Sequence, residues 1–132
     1  MSTTSVRHLS IAIERHADDV YAFMADPENL PSWASGLGDD FHRDGDAWVA
    51  VGVLGTVRVR FSPINPFRVL DHDVTLPDGV VVHNPLRVLA HDDRAIVVFT
   101  LLRQPGMDDA AFEKDAAHVE ADLHRLRGRL ER

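Results

Sequence analysis

The sequence predicts an α+β fold in which an antiparallel sheet packs against one long C-terminal helix. Residues 5–14 alternate apolar and polar side chains, which is the period of a strand with one buried face. Between Gly38 and Gln104, turn-forming residues interrupt the chain at short intervals, and connections this short favour antiparallel strands over parallel crossovers. After residue 106, apolar side chains recur at spacings of three and four, which indicates an amphipathic helix.

Two short helices are expected directly after the first strand. Apolar residues fall at helical spacing between Ala17 and Ala25, aspartates occupy the first turn, and Pro27 ends the segment. A second short helix or turn is expected from Glu28 to Ser35, where glycines follow. The turn signals downstream then divide the chain into about six short strands.

The C-terminal helix has the most regular apolar pattern in the chain. Asp108 is placed to cap its first turn. Its expected buried stripe consists of Phe112, Ala116, Val119, Leu123, Leu126 and Leu130. The charged residues expected on its opposite, solvated face are Glu113, Lys114, Glu120, Asp122, Arg125 and Arg129. The helix therefore lays one apolar stripe on the sheet.

Composition excludes several classes of function. The 132 residues are expected to form a single domain, 1–132, and the absence of cysteine excludes disulfides, thiolate nucleophiles and cysteine-bound metals. A net charge of −7 disfavours nucleic acid and anionic membranes as partners. The N-terminus lacks the apolar core of a secretion signal, and the most apolar window, 47–57, is about half of the roughly 20 residues that span a bilayer. We expect a cytoplasmic protein that does not insert into membranes.

The segment VYAFMADPENLPSW, residues 20–33, resembles the opening phrase of the START-like (SRPBCC) superfamily. The order of elements agrees over nearly the whole chain, and the match is closest from Ile13 to Trp33. The resemblance implies a helix-grip fold, β-α-α-β6-α, in which a curved antiparallel sheet wraps the long C-terminal helix around an internal cavity. Many members have prolines where this chain has the sequence Arg15-His16-Ala17, which leaves the subfamily open.

The superfamily includes lipid carriers, polyketide cyclases and aromatases, hydrolases, dehydratases, hormone receptors and chaperone activators. The resemblance therefore implies a cavity that holds a hydrophobic ligand or an active site. It does not choose among these activities, because one fold hosts many functions.

A hairpin is expected from Leu70 to Val88, with its turn at residues 77–79. A three-residue loop pairs His72 with Asn84 and leaves the apolar pairs on one face, whereas a two-residue turn would place charge on that face. Segregation of the apolar residues therefore selects the three-residue loop.

Extending this register across the turn at residues 91–93 places Thr100 opposite Asn84. His72, Asn84 and Thr100 then form a polar row on an aliphatic face, either as a hydrogen-bonded trio in the core or as ligand-facing groups. His72 is the candidate catalytic residue, because imidazole titrates near neutral pH. The predicted ligand-binding residues are His72, Asn84, Thr100, Trp33, Leu70, Val74, Leu86, Val98, Phe112, Val119 and Leu123.

Three other side chains have two interpretations each. Arg58 and Arg60 either point to solvent, where one of them covers Trp48, or enter the cavity and clamp a carboxylate or phosphate. In the first arrangement Trp48 shares their face, opposite the one that carries the valines of the same strands. Trp33 is either a core anchor or the lid of the cavity mouth.

No metal or cofactor is expected. His118 and His124 are six residues apart, about 240° around a helix, so they cannot chelate one ion together. The sequence contains no H-E-x-x-H, no G-x-G-x-x-G, no P-loop and no G-x-S-x-G motif.

Three functions remain. The first is binding, transport or sensing of a small hydrophobic molecule with a polar end. The second is a cofactor-independent polyketide cyclase, aromatase, dehydratase or hydrolase that uses acid–base chemistry in the same cavity, for which the sequence offers only His72. The third is a protein-interaction module, which requires the face with Val97, Phe99 and Leu101 to be exposed; a homodimer would cover it.

Overall fold

The computed structural model describes residues 6–35, 40–52 and 55–132. It begins with strand β1 (Val6–Ile13), helix α1 (Ala17–Ala25) and a 3-10 helix (Pro27–Ser32). The remaining elements are β2 (Phe41–Asp44), β3 (Ala47–Gly52), β4 (Gly55–Phe61), β5 (His72–Thr75), β6 (Val81–Asn84), β7 (Leu86–His91), β8 (Arg94–Leu102) and helix α2 (Asp109–Leu130). The predicted α+β order is confirmed. None of the described helices is both long enough and apolar enough to cross a membrane.

Seven strands lie between the 3-10 helix and α2 in the described part of the chain, where about six were expected. The difference arises at Pro85, which separates β6 from β7. Proline has no backbone N–H to donate, so it interrupts the ladder at this point.

The strands form two antiparallel groups, ordered β1-β8-β7 and β2-β3-β4-β5-β6. The groups meet beside Pro85, where Val69 pairs with Arg87 and the Leu70 N–H donates to the Leu86 carbonyl at 2.7 Å. The chain just before β5 therefore continues the ladder onto β7. The result is one curved antiparallel sheet with α2 on its inner side, which is the helix-grip arrangement.

The predicted register of the β5–β6 hairpin is confirmed. His72 lies opposite Asn84, and Val74 lies opposite Val82. The Leu76 N–H donates to the Val80 carbonyl at 2.8 Å, which closes the expected three-residue loop.

The register predicted between β7 and β8 is wrong by one residue. His91 pairs with Arg94 across a two-residue turn, and Asp92 adopts a positive φ of 55°. Leu86 consequently lies opposite Phe99 rather than Val98. Because side chains alternate along a strand, this slip reverses the two faces of β8.

Because of this reversal, the face of β8 that carries Val97, Phe99 and Leu101 points toward the core. Val97 is 0% exposed and Leu101 is 7% exposed, and both belong to the buried core together with half-buried Phe99. The face that we expected to be free for a partner or a homodimer is thus covered by the protein itself. That surface offers no argument for an interaction module.

Helix α2 buries the predicted stripe against the sheet. Leu123 and Leu126 are 2% and 0% exposed, and the Asp108 side chain accepts from the Ala111 N–H at 2.8 Å as the expected cap. Asp122 does not belong to the solvated face, because it is only 9% exposed. The expectation for this residue was wrong, and its burial bears directly on the cavity.

Strands β3 and β4 pair so that Trp48 lies opposite Val59 and Val49 lies opposite Arg58. Trp48 therefore shares the inner face with Val59 and stacks on Phe41, with ring centroids 5.0 Å apart. The prediction that Trp48 shares a face with the arginines is wrong.

Arg58 and Arg60 point to solvent. Arg58 donates to Asp44 at 3.0 Å, and Arg60 donates to Asp46 at 2.7 Å. The structure thus supports the solvent-facing interpretation of both arginines and excludes them as a clamp inside the cavity.

Candidate functional site

A cavity of about 180 Å³ lies between the inner face of the sheet, the 3-10 helix and α2. A dry engineered cavity of roughly 150 Å³ is known to hold benzene, so this space fits a single ring with short substituents. Its walls are mainly apolar. The lining residues are Met24, Leu30, Trp33, Ala34, Ser35, Val59, Phe61, Leu70, His72, Val74, Leu86, Phe99, His118, Val119, Asp122 and Leu123.

Most of the predicted ligand-binding residues line this cavity. They are Trp33, Leu70, His72, Val74, Leu86, Val119 and Leu123. Their role in ligand binding stays a prediction.

Four predicted residues lie elsewhere. Asn84 is opposite His72 on β6 but does not line the cavity. Thr100 and Val98 are on the outer face of the sheet, where the Thr100 hydroxyl lies 3.0 Å from His8 Nδ1, so the predicted polar row does not form. Phe112 is buried in a separate cluster with Leu101.

His72 presents one ring nitrogen to the protein backbone. Its Nδ1 lies 3.0 Å from the Leu70 carbonyl oxygen, which can only accept, so Nδ1 carries the proton. Burial lowers the pKa of His72, although the hydrogen bond to Leu70 opposes this shift. The imidazole is therefore neutral near pH 7, and Nε2, which has no hydrogen-bond partner among the described residues, is an acceptor.

The aspartates beside His72 in sequence do not orient it. Asp73 lies 2.6 Å from His83, its cross-strand partner on β6. Burial by itself would raise the pKa of Asp71, but hydrogen bonds from Arg87 and from the Leu86 N–H lower it below its usual value. Of residues 71–73, His72 alone lines the cavity. Its ring lies between those of Phe61 and Phe99, with centroid distances of 5.8 and 6.4 Å.

Trp33 lies in the core and in the wall of the cavity, and a role as the lid of the cavity mouth stays a prediction. The residue is only 6% exposed. Its indole Nε1–H is buried without an acceptor in the described structure. A buried donor without an acceptor loses its hydration without compensation, so this group lowers stability.

A polar cluster that sequence reasoning missed borders the same cavity; we call it the Asp122 cluster. It comprises Ser35, His118, Asp122 and Arg125. Asp122 Oδ1 accepts from the Ser35 N–H at 3.1 Å, the Ser35 hydroxyl at 2.7 Å and Arg125 Nη1 at 2.7 Å. Arg125 Nη1 also donates to the Trp33 carbonyl at 3.0 Å. The cluster therefore fastens the chain at residues 33–35 to α2.

Helix geometry contained a signal for this cluster. At 3.6 residues per turn, Asp122 lies about 40° from Leu126 and about 60° from Val119 around the helix axis. His118 is four residues before Asp122 and therefore lies on the same side. An aspartate at the edge of a buried stripe, one turn after a histidine, marks a polar site beside the core.

The lining contains no Lys or Arg among the described residues. No three His, Asp or Glu side chains in the described ranges lie close enough to hold a metal ion. What the lining offers beside its apolar walls is the imidazole of His72 and the carboxylate of Asp122.

Comparison with solved structures shows the fold. A putative uncharacterized protein from Bacillus thuringiensis is 14% identical, with a TM-score of 0.76 over 96% of this chain and 98% of that chain. The Zhui aromatase/cyclase from Streptomyces sp. R1128 is 20% identical, with a TM-score of 0.68 over 98% and 95% of the two chains. Ara h 8.0201 is 10% identical, with a TM-score of 0.68 over 97% and 98%.

No protein-family model matches the sequence, and no curated protein matches it either. The structural likenesses show that this chain has the helix-grip fold that the resemblance of residues 20–33 implied.

Proposed function

We propose that this protein binds a small, mainly apolar molecule with a polar end in the cavity between the sheet and α2. The observation that carries the proposal is a mainly apolar cavity whose lining includes His72, a side chain with a ring nitrogen, Nε2, that has no hydrogen-bond partner among the described residues. Ligand sites have this character, with apolar walls and a few polar groups that fix orientation.

The size of the cavity limits the ligand. Sites for drug-sized molecules usually measure roughly 300–1,000 Å³, whereas this one measures about 180 Å³. A one-ring molecule fits better than a long acyl chain or a fused polycycle. One protein with the same fold is an aromatase/cyclase, which is compatible with a cavity for aromatic molecules, although fold alone does not transfer an activity.

The first test is native mass spectrometry of freshly purified protein, which should reveal a co-purified small molecule. The second uses the two tryptophans as reporters, because Trp33 lines the cavity and Trp48 does not. In a proton–nitrogen NMR spectrum, para-ethylphenol should move the indole signal of Trp33 and leave that of Trp48 in place. Trp48→Phe assigns the two signals. No co-purified molecule, together with an unmoved Trp33 signal at the solubility limit of the probe, would contradict the proposal.

A cofactor-independent acid–base enzyme is the second candidate, and one observation favours it. Asp122 and His118 line the same cavity as His72, which supplies the second titratable group that the sequence lacked. A neutral His72 with its lone pair on Nε2 is suited to accept a proton from a carbon acid.

Deuterium exchange at the methyl group of a one-ring aryl ketone in D₂O, followed by NMR, tests this chemistry. The exchange rate should fall on acidification with a single ionisation below the ordinary imidazole value of about 6.5, because burial lowers the pKa of His72. His72→Gln should remove the catalysed exchange. A variant that keeps the wild-type rate would exclude His72 as the base.

A further inference from the structure

The carboxylate of Asp122 uses its two oxygens unequally. Oδ1 receives three hydrogen bonds, two from Ser35 and one from Arg125. Oδ2 receives none from the described residues, and the His118 Nε2 atom lies 3.7 Å from it. Asp122 is only 9% exposed and lines the cavity. A nearly buried carboxylate oxygen without a donor is available to a cavity occupant.

The hydroxyl of Ser35 and the Nε2–H of His118 already donate hydrogen bonds within the cluster. A carboxylate only accepts, so the Ser35 hydroxyl donates its single proton to Asp122 Oδ1 at 2.7 Å. His118 Nε2 lies 2.9 Å from the same hydroxyl oxygen and 3.3 Å from the Ser35 carbonyl, so it acts as the donor to both. The group left unused by the cluster is therefore an acceptor, Oδ2, and its complement is a hydrogen-bond donor.

The charge around Asp122 indicates a neutral donor. Arg125 Nη1, 2.7 Å from Oδ1, already balances the carboxylate, so a second cation is not required. No Lys or Arg among the described residues lines the cavity, so a ligand carboxylate would meet repulsion without compensation.

We propose that Asp122 Oδ2 is a second subsite of the cavity, which accepts a hydrogen bond from the hydroxyl group of a neutral, one-ring phenolic ligand. The proposal rests on the proposed binding function and adds the chemical class of the ligand. Ser35 and Arg125 hold the carboxylate in place, and the apolar lining contacts the ring.

Matched probes test the subsite in the wild-type protein. Para-ethylphenol donates a hydrogen bond, para-ethyltoluene replaces the hydroxyl by a methyl of similar size, and para-ethylbenzoate is an anion. A hydrogen bond to a charged group corresponds to a gain of about 10- to 100-fold in affinity. The phenol should bind at least about tenfold more tightly than the toluene, and the benzoate more weakly than the phenol.

Asp122→Asn assigns the effect to this residue. The variant should lose about tenfold or more in affinity for the phenol while its affinity for para-ethyltoluene stays unchanged, which shows that the cavity is intact. Glu120→Gln removes the same charge at an exposed position of α2 and should change neither affinity.

The outcomes separate the two proposals. If none of the probes binds, the subsite fails, and if in addition no small molecule co-purifies with the protein, the proposed function fails with it. If the phenol and the toluene bind equally to the wild-type protein, the cavity binds ligands but the subsite is wrong. Tighter binding of the benzoate, or of para-ethylbenzylammonium, would also overturn the subsite. The wild-type comparison decides the question even if Asp122→Asn does not fold.

Discussion

The Nδ1–H of His72 donates to the backbone carbonyl of Leu70 across 3.0 Å, two residues earlier in the chain. This contact fixes the ring orientation and the tautomer, because the carbonyl cannot donate. It leaves Nε2 as the ring nitrogen without a hydrogen-bond partner among the described residues, on a side chain that lines the cavity. A local backbone contact thus determines the chemistry of the site.

Stability should depend on pH through His72. Burial lowers its pKa in the folded protein, so the unfolded chain, with a value near 6.5, binds more protons under acidic conditions. Its contribution to stability is complete above about pH 6.5 and is lost as the pH falls toward the folded-state pKa. Urea unfolding at about pH 7.5, 6.5 and 5.5 measures the free energy of unfolding. As the pH falls, this free energy should decrease less in His72→Gln than in the wild-type protein.

The chain contains eight histidines, so this experiment needs a matched control. His16 is exposed, and His16→Gln should retain the wild-type pH dependence. If the free energy of unfolding decreased equally on acidification in His72→Gln and in the wild-type protein, burial would not suppress protonation of His72.

Ligand binding should distinguish His72 from Thr100. The sequence placed both residues in one polar row, whereas the structure places Thr100 on the outer face of the sheet. With a bound probe such as para-ethylphenol, His72→Ala should weaken affinity by about tenfold or more, because it removes an imidazole ring from the cavity wall. Thr100→Val should leave affinity unchanged in the same calorimetric titration. A larger loss of affinity in Thr100→Val than in His72→Ala would show that the ligand binds at the predicted polar row instead.

The sequence was sufficient where one register alone separates apolar from polar side chains. In the β5–β6 hairpin, pairing His72 with Asn84 was the arrangement that kept the apolar pairs together. Between β7 and β8, both possible registers bury valines, so the conformation of the turn determines which register forms. Asp92 in the left-handed region allows the two-residue loop, and this local conformation does not follow from hydrophobic patterning.

The Asp122 cluster could not be predicted in full, for a different reason. Helix periodicity places Asp122 beside the buried stripe, but its partner Ser35 lies three residues after the 3-10 helix and 87 residues earlier in the chain. Contacts between distant segments depend on how α2 sits against the sheet. A single sequence fixes the faces of a helix, not its neighbours.

Arg125 should contribute to stability through the Trp33 carbonyl and Asp122. Removal of the guanidinium leaves a nearly buried carboxylate without its cation, although the side chain of Arg125 is 45% exposed and solvent reduces the effect. We expect Arg125→Ala to lower the free energy of unfolding by about 1–2 kcal/mol. Arg129→Ala, at an exposed position of the same helix, should stay within about 0.5 kcal/mol. Equal effects of the two variants would show that the cluster does not fasten residues 33–35 to α2.

Leu123 should be among the residues whose truncation costs most, because it is 2% exposed and lies in both the core and the cavity wall. Leu123→Ala removes buried methyl groups and leaves a void, which typically costs about 2–5 kcal/mol. The cost should fall toward the lower end, since the cavity beside Leu123 already deprives it of some packing partners. Leu89→Ala is the matched control, because Leu89 is 48% exposed and the same deletion there opens no cavity. Urea unfolding of the two variants measures the difference, and a Leu123→Ala cost as small as that of Leu89→Ala would mean that α2 does not close the cavity.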